Sequence, residues 1–68
     1  MRAIANWTYD SFGIRFVDDE TQLAKGCSIC WTPYTDAEVV VGDICNMLRR
    51  TLSELKQSVT KFKEREDA

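Results

Sequence analysis

The side chains in this chain that come closest to a metal-binding or redox pattern are Cys27 and Cys30 in a Cys-Ser-Ile-Cys segment. A zinc site needs two further ligands, and the chain offers no histidine and one other cysteine, Cys45. A redox role needs a thiol activated near a helix N-terminus, whereas residues 27–32 alternate like a strand. Strand geometry sends the two thiols to opposite faces, so we expect Cys27 to pack as a small apolar side chain. Zinc binding through Cys27 and Cys30 is the alternative.

The other residue types do not assemble a common catalytic arrangement. Without histidine, neither a Ser-His-Asp nor a Cys-His arrangement can form. The three glycines are far apart, so there is no phosphate-binding loop. Asp18, Asp19 and Glu20 form an acidic cluster that could hold a divalent cation, but a solvated turn is the simpler interpretation. We therefore predict that the protein is not an enzyme and has no catalytic, cofactor-binding or metal-binding residues.

Length and composition predict one small globular domain over residues 1–68. Apolar residues make up 44% of the chain and charged residues 29%, which excludes a disordered composition. A core of this size is marginal and is usually supported by disulfides, a metal or oligomerisation. The sequence has no apolar run that could span a membrane, and residues 1–6 lack the apolar segment expected of a signal peptide. With an odd number of cysteines, these features predict a reduced, cytoplasmic protein.

Charge is distributed unevenly along the chain. Residues 1–46 carry seven acids and three bases, a balance of −4, and residues 47–68 carry six bases and four acids, a balance of +2. This division favours an acidic body with a basic helix, although a mixed solvated surface would also produce it. The net charge of −2 excludes an overall basic field for nucleic acid.

The first half of the chain has the alternation of an antiparallel sheet, placed at residues 1–34. Residues 3–9 and 12–16 alternate between two faces. The short Asp10-Ser11 link between them predicts a hairpin, because so short a link cannot join parallel strands. A third strand follows over residues 27–32 and ends at Pro33, which cannot donate a ladder hydrogen bond.

The second half predicts one long amphipathic helix over residues 35–65. The segment from Thr35 to Glu38 has the form of a capping box, with the Thr35 hydroxyl accepting from the Glu38 amide. The expected fold is therefore α+β, a three-stranded antiparallel sheet (a β-hairpin plus a third strand) followed by one long C-terminal helix.

Apolar residues of this helix recur in steps of four and three, which places them on one narrow stripe. We call it the heptad stripe; it consists of Val41, Cys45, Leu48, Leu52, Leu55, Val59 and Phe62. The sheet is too short to cover the whole stripe, and we expect it to cover the first half, Val41, Cys45 and Leu48, and at most Leu52. Each large side chain left exposed forgoes about 1.5–3 kcal/mol of burial. We therefore predict a homodimer with an interface formed by Leu48, Leu52, Leu55, Val59 and Phe62.

The flanks of the stripe bear on how two helices would pair. Parallel pairs are usually fixed by opposite charges on the two flanks, and those pairs are missing here, so an antiparallel or crossed arrangement is favoured. The basic flank of Arg49, Lys56 and Lys63 would then face the acidic residues 18–20 of a second copy. The alternative is a monomer with a helix that kinks or frays after Lys56.

These features together predict a non-enzymatic protein-binding module, a small homodimeric inhibitor or regulator of a larger macromolecule. Phage and mobile-element proteins of this size often act in that way, an argument by class analogy. Exposed aromatic residues on a small acidic domain are typical of protein-binding hot spots. The alternative is a nucleic-acid-binding regulator that uses the basic face of the C-terminal helix and weakens steeply with salt. The expected partner-binding residues are Asp18, Asp19, Glu20, Trp7, Tyr9, Arg49 and Lys56.

Overall fold

The computed structural model describes residues 1–67, with side chains over residues 1–65. Three strands, β1 (Arg2–Trp7), β2 (Ser11–Val17) and β3 (Ala24–Cys30), precede one helix, α1 (Ala37–Asp67). The strands form a single antiparallel sheet in the order β1-β2-β3. The predicted α+β fold, a sheet followed by one long C-terminal helix, is confirmed.

The pairing register divides the sheet into two faces. Trp7 lies opposite Phe12, and Phe12 lies opposite Ile29, so these three side chains share a face. Cys27 lies on the same face, and its sulfur accepts a hydrogen bond of 2.9 Å from the Thr51 hydroxyl of α1. This face therefore points toward the helix, and we call it the inner face; it carries Ala3, Ala5, Trp7, Phe12, Ile14, Phe16, Lys25, Cys27 and Ile29.

Side-chain hydrogen bonds fix the turn between β2 and β3. The Asp18 carboxylate accepts from the Thr21 hydroxyl at 2.7 Å and from the Thr21 amide at 3.0 Å. These bonds, the hydroxyl first, hold the pKa of the Asp18 carboxyl below its ordinary value. Gln22 follows at a φ of 61°, in the left-handed region. The acidic residues 18–20 thus form a structured turn at the end of the sheet where β2 ends and β3 begins.

The helix is capped one residue later than the sequence pattern suggests. The Asp36 carboxylate accepts from the Glu38 amide at 2.9 Å, and the Asp36 carbonyl accepts from the Val40 amide at 3.1 Å. Asp36 is therefore the N-cap. The Thr35 hydroxyl instead bonds to the amide of Thr32 at 3.2 Å, so the predicted capping box is wrong in its first member.

The side of α1 that packs on the sheet is offset from the predicted side by one position in the sequence over the first half of the helix. Met47, Thr51 and Leu55 are buried, and Leu55 has no exposed surface. Val41 and Cys45, expected under the sheet, are exposed. The three buried residues mark the side of the helix turned toward the sheet, and the 100° spacing of helical residues places the half-buried Val40, Ile44 and Ser58 on the same side.

The physical reason lies in the period of a straight helix. Residues 40 to 58 of the sheet-facing series advance 3.6 positions per step, as an unsupercoiled helix does. A strict heptad drifts by about 20° per repeat relative to that series, so the two coincide at Leu55 and diverge toward the helix N-terminus. A search for apolar periods does not find the packed side of the helix, because the polar residue Thr51 lies in the middle of that side. The Thr51 hydroxyl is satisfied there by the sulfur of Cys27.

The helix covers only part of the sheet. It packs on β3 and β2, while none of its described residues lies within 8 Å of β1 between Cα atoms. Every residue of β1 is exposed. Within residues 1–67, no helix has the combination of length and apolar character that a membrane span requires.

Gly42 is expected to weaken α1 without serving a packing purpose. A Cβ placed on Gly42 meets no atom within 4 Å, and glycine inside a helix costs about 1 kcal/mol relative to alanine. We predict that Gly42→Ala raises the free energy of unfolding by about 1 kcal/mol, measured by urea denaturation. A loss of stability would instead mean that another chain approaches the helix closely at this position.

Candidate protein-binding surface

One flank of α1 faces the outer edge of the sheet, at β3. Asp43, Asn46 and Arg50 line a shallow cleft there together with Ser28 and Ile29 of β3. Successive residues of a helix are separated by about 100°, which places the heptad stripe on the opposite flank. The stripe therefore lies on the side of the helix that overlooks β1.

The part of the inner face that belongs to β1 has no cover from the described part of the helix. Ala3, Ala5 and Trp7 lie on this face of β1, all are exposed, and Trp7 is 69% exposed. The stripe and these residues border the same uncovered region. We call the region the open face; it is formed by Val41, Leu48, Leu52 and Val59 of α1 and by Ala3 and Ala5 of β1, and Trp7 lies at its border, at the hairpin end of the sheet.

Four of the five residues predicted for a dimer interface retain accessible surface. Leu48, Leu52 and Val59 are half-buried, and Phe62 is 36% exposed beside Leu23. Leu55 is fully covered within the single chain. Its side chain therefore belongs to the intramolecular core and has no surface to offer a partner.

The residues predicted to bind a partner do not form one surface. Trp7 and Tyr9 lie at the hairpin end of the sheet, where β1 turns into β2, whereas the acidic residues 18–20 lie at the other end. Arg49 and Lys56 are exposed on the side of α1 that faces away from the sheet. The predicted set is thus distributed over three regions of the molecule.

Two of the three predicted acidic residues already have cationic partners in the same chain. Asp19 accepts from the Arg2 guanidinium at 2.8 Å and lies 3.5 Å from the N-terminal amino group of Met1. Glu20 pairs with Lys63 at 3.0 Å. Lys63 therefore meets an acid of its own chain, where the sequence suggested an acid of a second copy.

The cysteine pair lies as strand geometry requires. Cys27 is on the inner face and Cys30, in the same strand, is on the outer face. Over the described residues, no three side chains of histidine, cysteine, aspartate or glutamate come together in a group that could hold a metal ion. Cys27 and Cys30 therefore do not present their sulfur atoms together as a pair of zinc ligands.

Two further aromatic residues at the hairpin end of the sheet, Tyr34 and Trp31, lie outside the set predicted to bind a partner. Tyr34 is 97% exposed in the segment between β3 and α1. Trp31 anchors that segment to the hairpin, because its amide donates to the Asp10 carbonyl at 2.9 Å and its indole nitrogen to the Tyr9 carbonyl at 3.0 Å. The position of Tyr34 directly after Pro33, outside any strand pattern, was the signal available in the sequence.

Comparison of the chain with protein-family models, with curated proteins and with solved structures finds no match. A functional interpretation must therefore be argued from the surfaces of the chain itself. The two that stand out among the described residues are the open face and the exposed aromatic residues at the hairpin end of the sheet.

Proposed function

We propose that this protein is a non-enzymatic protein-binding module that acts as a homodimer and inhibits or regulates a larger macromolecule. The observation that supports the proposal is the open face. The helix packs one apolar side on β2 and β3 and carries a second apolar side next to it, over the uncovered inner face of β1. A domain with a small core gains stability when such a surface is buried.

A second copy fits the open face in length and chemistry. The stripe runs over 22 residues from Val41 to Phe62, and its two ends are about 32 Å apart at 1.5 Å per residue. Another copy presents an apolar stripe of the same length, and a two-fold axis lets each stripe bury the other. Partial burial of several large aliphatic side chains on each side would contribute several kcal/mol, at about 1.5–3 kcal/mol for each one fully buried.

An antiparallel or crossed pairing agrees best with the charges on the helix. Arg49 and Lys56 are exposed beside the stripe, and a parallel pair would bring equivalent basic flanks to the same level of the dimer. Opposite charges that would offset this repulsion are missing from the other flank. Reversing one helix separates the like charges along the axis.

The exposed basic residues near the C-terminal end of α1 favour a second candidate function, nucleic-acid binding. Lys56, Lys61 and Arg65 are all exposed there. The two functions separate in a titration of fluorescent duplex DNA and single-stranded RNA, read by anisotropy. Nucleic-acid binding predicts affinity that falls steeply between about 50 and 200 mM salt; the protein-binding function predicts no saturable binding at either salt concentration.

Cysteine reactivity tests the dimer without any substitution. Cys45 is exposed in the single chain and lies on the heptad stripe, while Cys30 is exposed on the outer face of the sheet. We predict that alkylation of Cys45 by iodoacetamide slows as protein concentration rises toward the micromolar range and the dimer forms, whereas alkylation of Cys30 keeps its rate. Mass spectrometry of the digested protein reads both sites in the same sample. Equal, concentration-independent rates at the two cysteines would contradict association through the stripe.

A further inference from the structure

The hairpin end of the molecule concentrates exposed aromatic side chains. Trp7, Tyr9 and Tyr34 are 69%, 89% and 97% exposed, and we call this region the aromatic end. Val39 and Val41, in the first turns of α1, are exposed beside it. Single exposed apolar residues are normal on a protein surface, but five of the eight large ones among the described residues lie at this end. Such a concentration is typical of an interaction site.

Hydrogen bonds hold the backbone that carries these rings. The Trp31 indole donates to the Tyr9 carbonyl at 3.0 Å, which ties the tip of the hairpin to the segment before the helix. Tyr34 lies in a turn in which the Thr35 amide donates to the Thr32 carbonyl at 3.1 Å. The aromatic rings therefore project from fixed backbone, so a partner would not have to order it on binding.

Charge distinguishes this end from the rest of the molecule. The two stretches that build it, residues 3–14 and 26–48, contain four acids and no lysine or arginine. Asp10, Asp36 and Glu38 lie at this end, whereas Asp43 lies further along α1, in the cleft that Arg50 also lines. The ion pairs found in the described part of the chain involve none of the four acids. At the opposite end of the sheet, Asp19 and Glu20 are neutralised by cations of the same chain. The aromatic end therefore carries a negative charge that the fold leaves unbalanced.

We propose that the aromatic end docks an arginine- and lysine-rich face of a partner protein. Guanidinium groups stack on exposed aromatic rings and are attracted to their faces, and Trp7, Tyr9 and Tyr34 supply such rings. The nearby carboxylates attract the same cations and speed the encounter. Phosphate backbones would be repelled by the same charge. This assignment rests on the proposed protein-binding function and adds the location of the site and the chemistry of the partner.

The probe for this site is a short peptide of alternating arginine and leucine, with a glutamate-for-arginine peptide as its counterpart. Binding is followed by amide and indole NMR signals of the isotope-labelled full chain, in which Trp7 and Trp31 give separate indole signals. We expect saturable shifts at Trp7, Tyr9 and Tyr34 with the arginine peptide only. The shifts should weaken as salt increases, because screening reduces attraction between exposed charges.

Matched substitutions distinguish specific binding at the aromatic end from non-specific binding of the peptide. Tyr34→Ala is expected to weaken binding of the arginine peptide at least tenfold, and Asp36→Asn, which keeps a capping side chain, to weaken it severalfold. Ile4→Ala removes another exposed apolar side chain, 56% accessible, from the outer face and should leave the affinity unchanged. Dispersion of the amide signals shows that each variant is folded.

Three outcomes would overturn the assignment. The first is absence of saturable binding, and the second is a set of shifts centred on the turn of residues 18–20. The third is movement of the Tyr9 and Tyr34 signals with protein concentration alone, which would give the aromatic end to a second copy. Alkylation of Cys45 is measured on the same samples. If Cys45 is protected but the arginine peptide does not bind the aromatic end, the docking proposal is wrong while the proposed homodimer is retained.

Discussion

Replacing Leu55 by alanine is expected to lower the free energy of unfolding by about 3 kcal/mol, since buried Leu→Ala changes cost 2–5 kcal/mol. Leu55 is the one large side chain with no exposed surface among the described residues. Proteins are stabilised by roughly 0.05–0.15 kcal/mol per residue, so the loss removes a large share of the stability of a 68-residue chain. Urea denaturation followed by far-ultraviolet circular dichroism measures the change.

The control for this prediction is Val39→Ala. Val39 is 53% exposed on the same helix, and alanine is the better helix former, so the change should stay within about 0.5 kcal/mol. Both variants are compared at one protein concentration, because dimerisation makes apparent stability depend on concentration. If Leu55→Ala unfolds at the same urea concentration as Val39→Ala, the helix does not pack on the sheet through Leu55.

The second large effect is expected from the double variant Leu52→Glu, Val59→Glu. Both side chains lie on the open face and keep accessible surface in the single chain. The double variant removes Leu52 and Val59 from both subunits, so the proposed dimer loses the burial of four apolar side chains. At about 1.5 kcal/mol for each side chain, this loss raises the dissociation constant of the dimer more than a thousandfold. We expect a folded monomer by sedimentation velocity, with the helical circular dichroism signal retained.

A matched variant moves the same charges one residue further around the helix. Ser53→Glu, Thr60→Glu places two glutamates at exposed polar positions on α1 and should remain dimeric. If both double variants dissociate, charge alone disrupts the assembly and the open face is not its interface. If neither does, the second copy binds elsewhere.

The sequence was sufficient for the architecture because its signals are local. Alternation over residues 3–9 and 12–16 marks the hairpin, and Pro33 marks the end of the sheet region. These features depend on neighbouring residues and on turn chemistry. The structure confirms the order of the elements, and its strand bounds differ from the predicted ones by a few residues.

The orientation of the helix was not available from the same signals. The heptad is the clearest apolar period in α1, but the sheet selects the 3.6-residue series, which includes the polar Thr51. Only the position of Cys27 on the facing strand shows how that hydroxyl is satisfied. A sequence pattern that ranks residues by hydrophobicity therefore assigns the wrong side of this helix to the sheet.

The candidate surfaces needed the same three-dimensional information. The sequence identified Trp7 and Tyr9 as candidates, but grouped them with the acidic residues 18–20, which the strand register places at the other end. Tyr34 was missed because its exposure depends on how the segment after β3 is tied to the hairpin by Trp31. Pairings between residues distant in sequence decide which side chains share a surface.

The most direct test of the proposed homodimer is the mass of the protein in solution, measured by light scattering after size exclusion at two concentrations across the micromolar range. We expect twice the mass of one chain at both concentrations for the unmodified protein, because the open face is buried by a second copy. The mass of a single chain at both concentrations would contradict the homodimer and leave the open face available to a different protein.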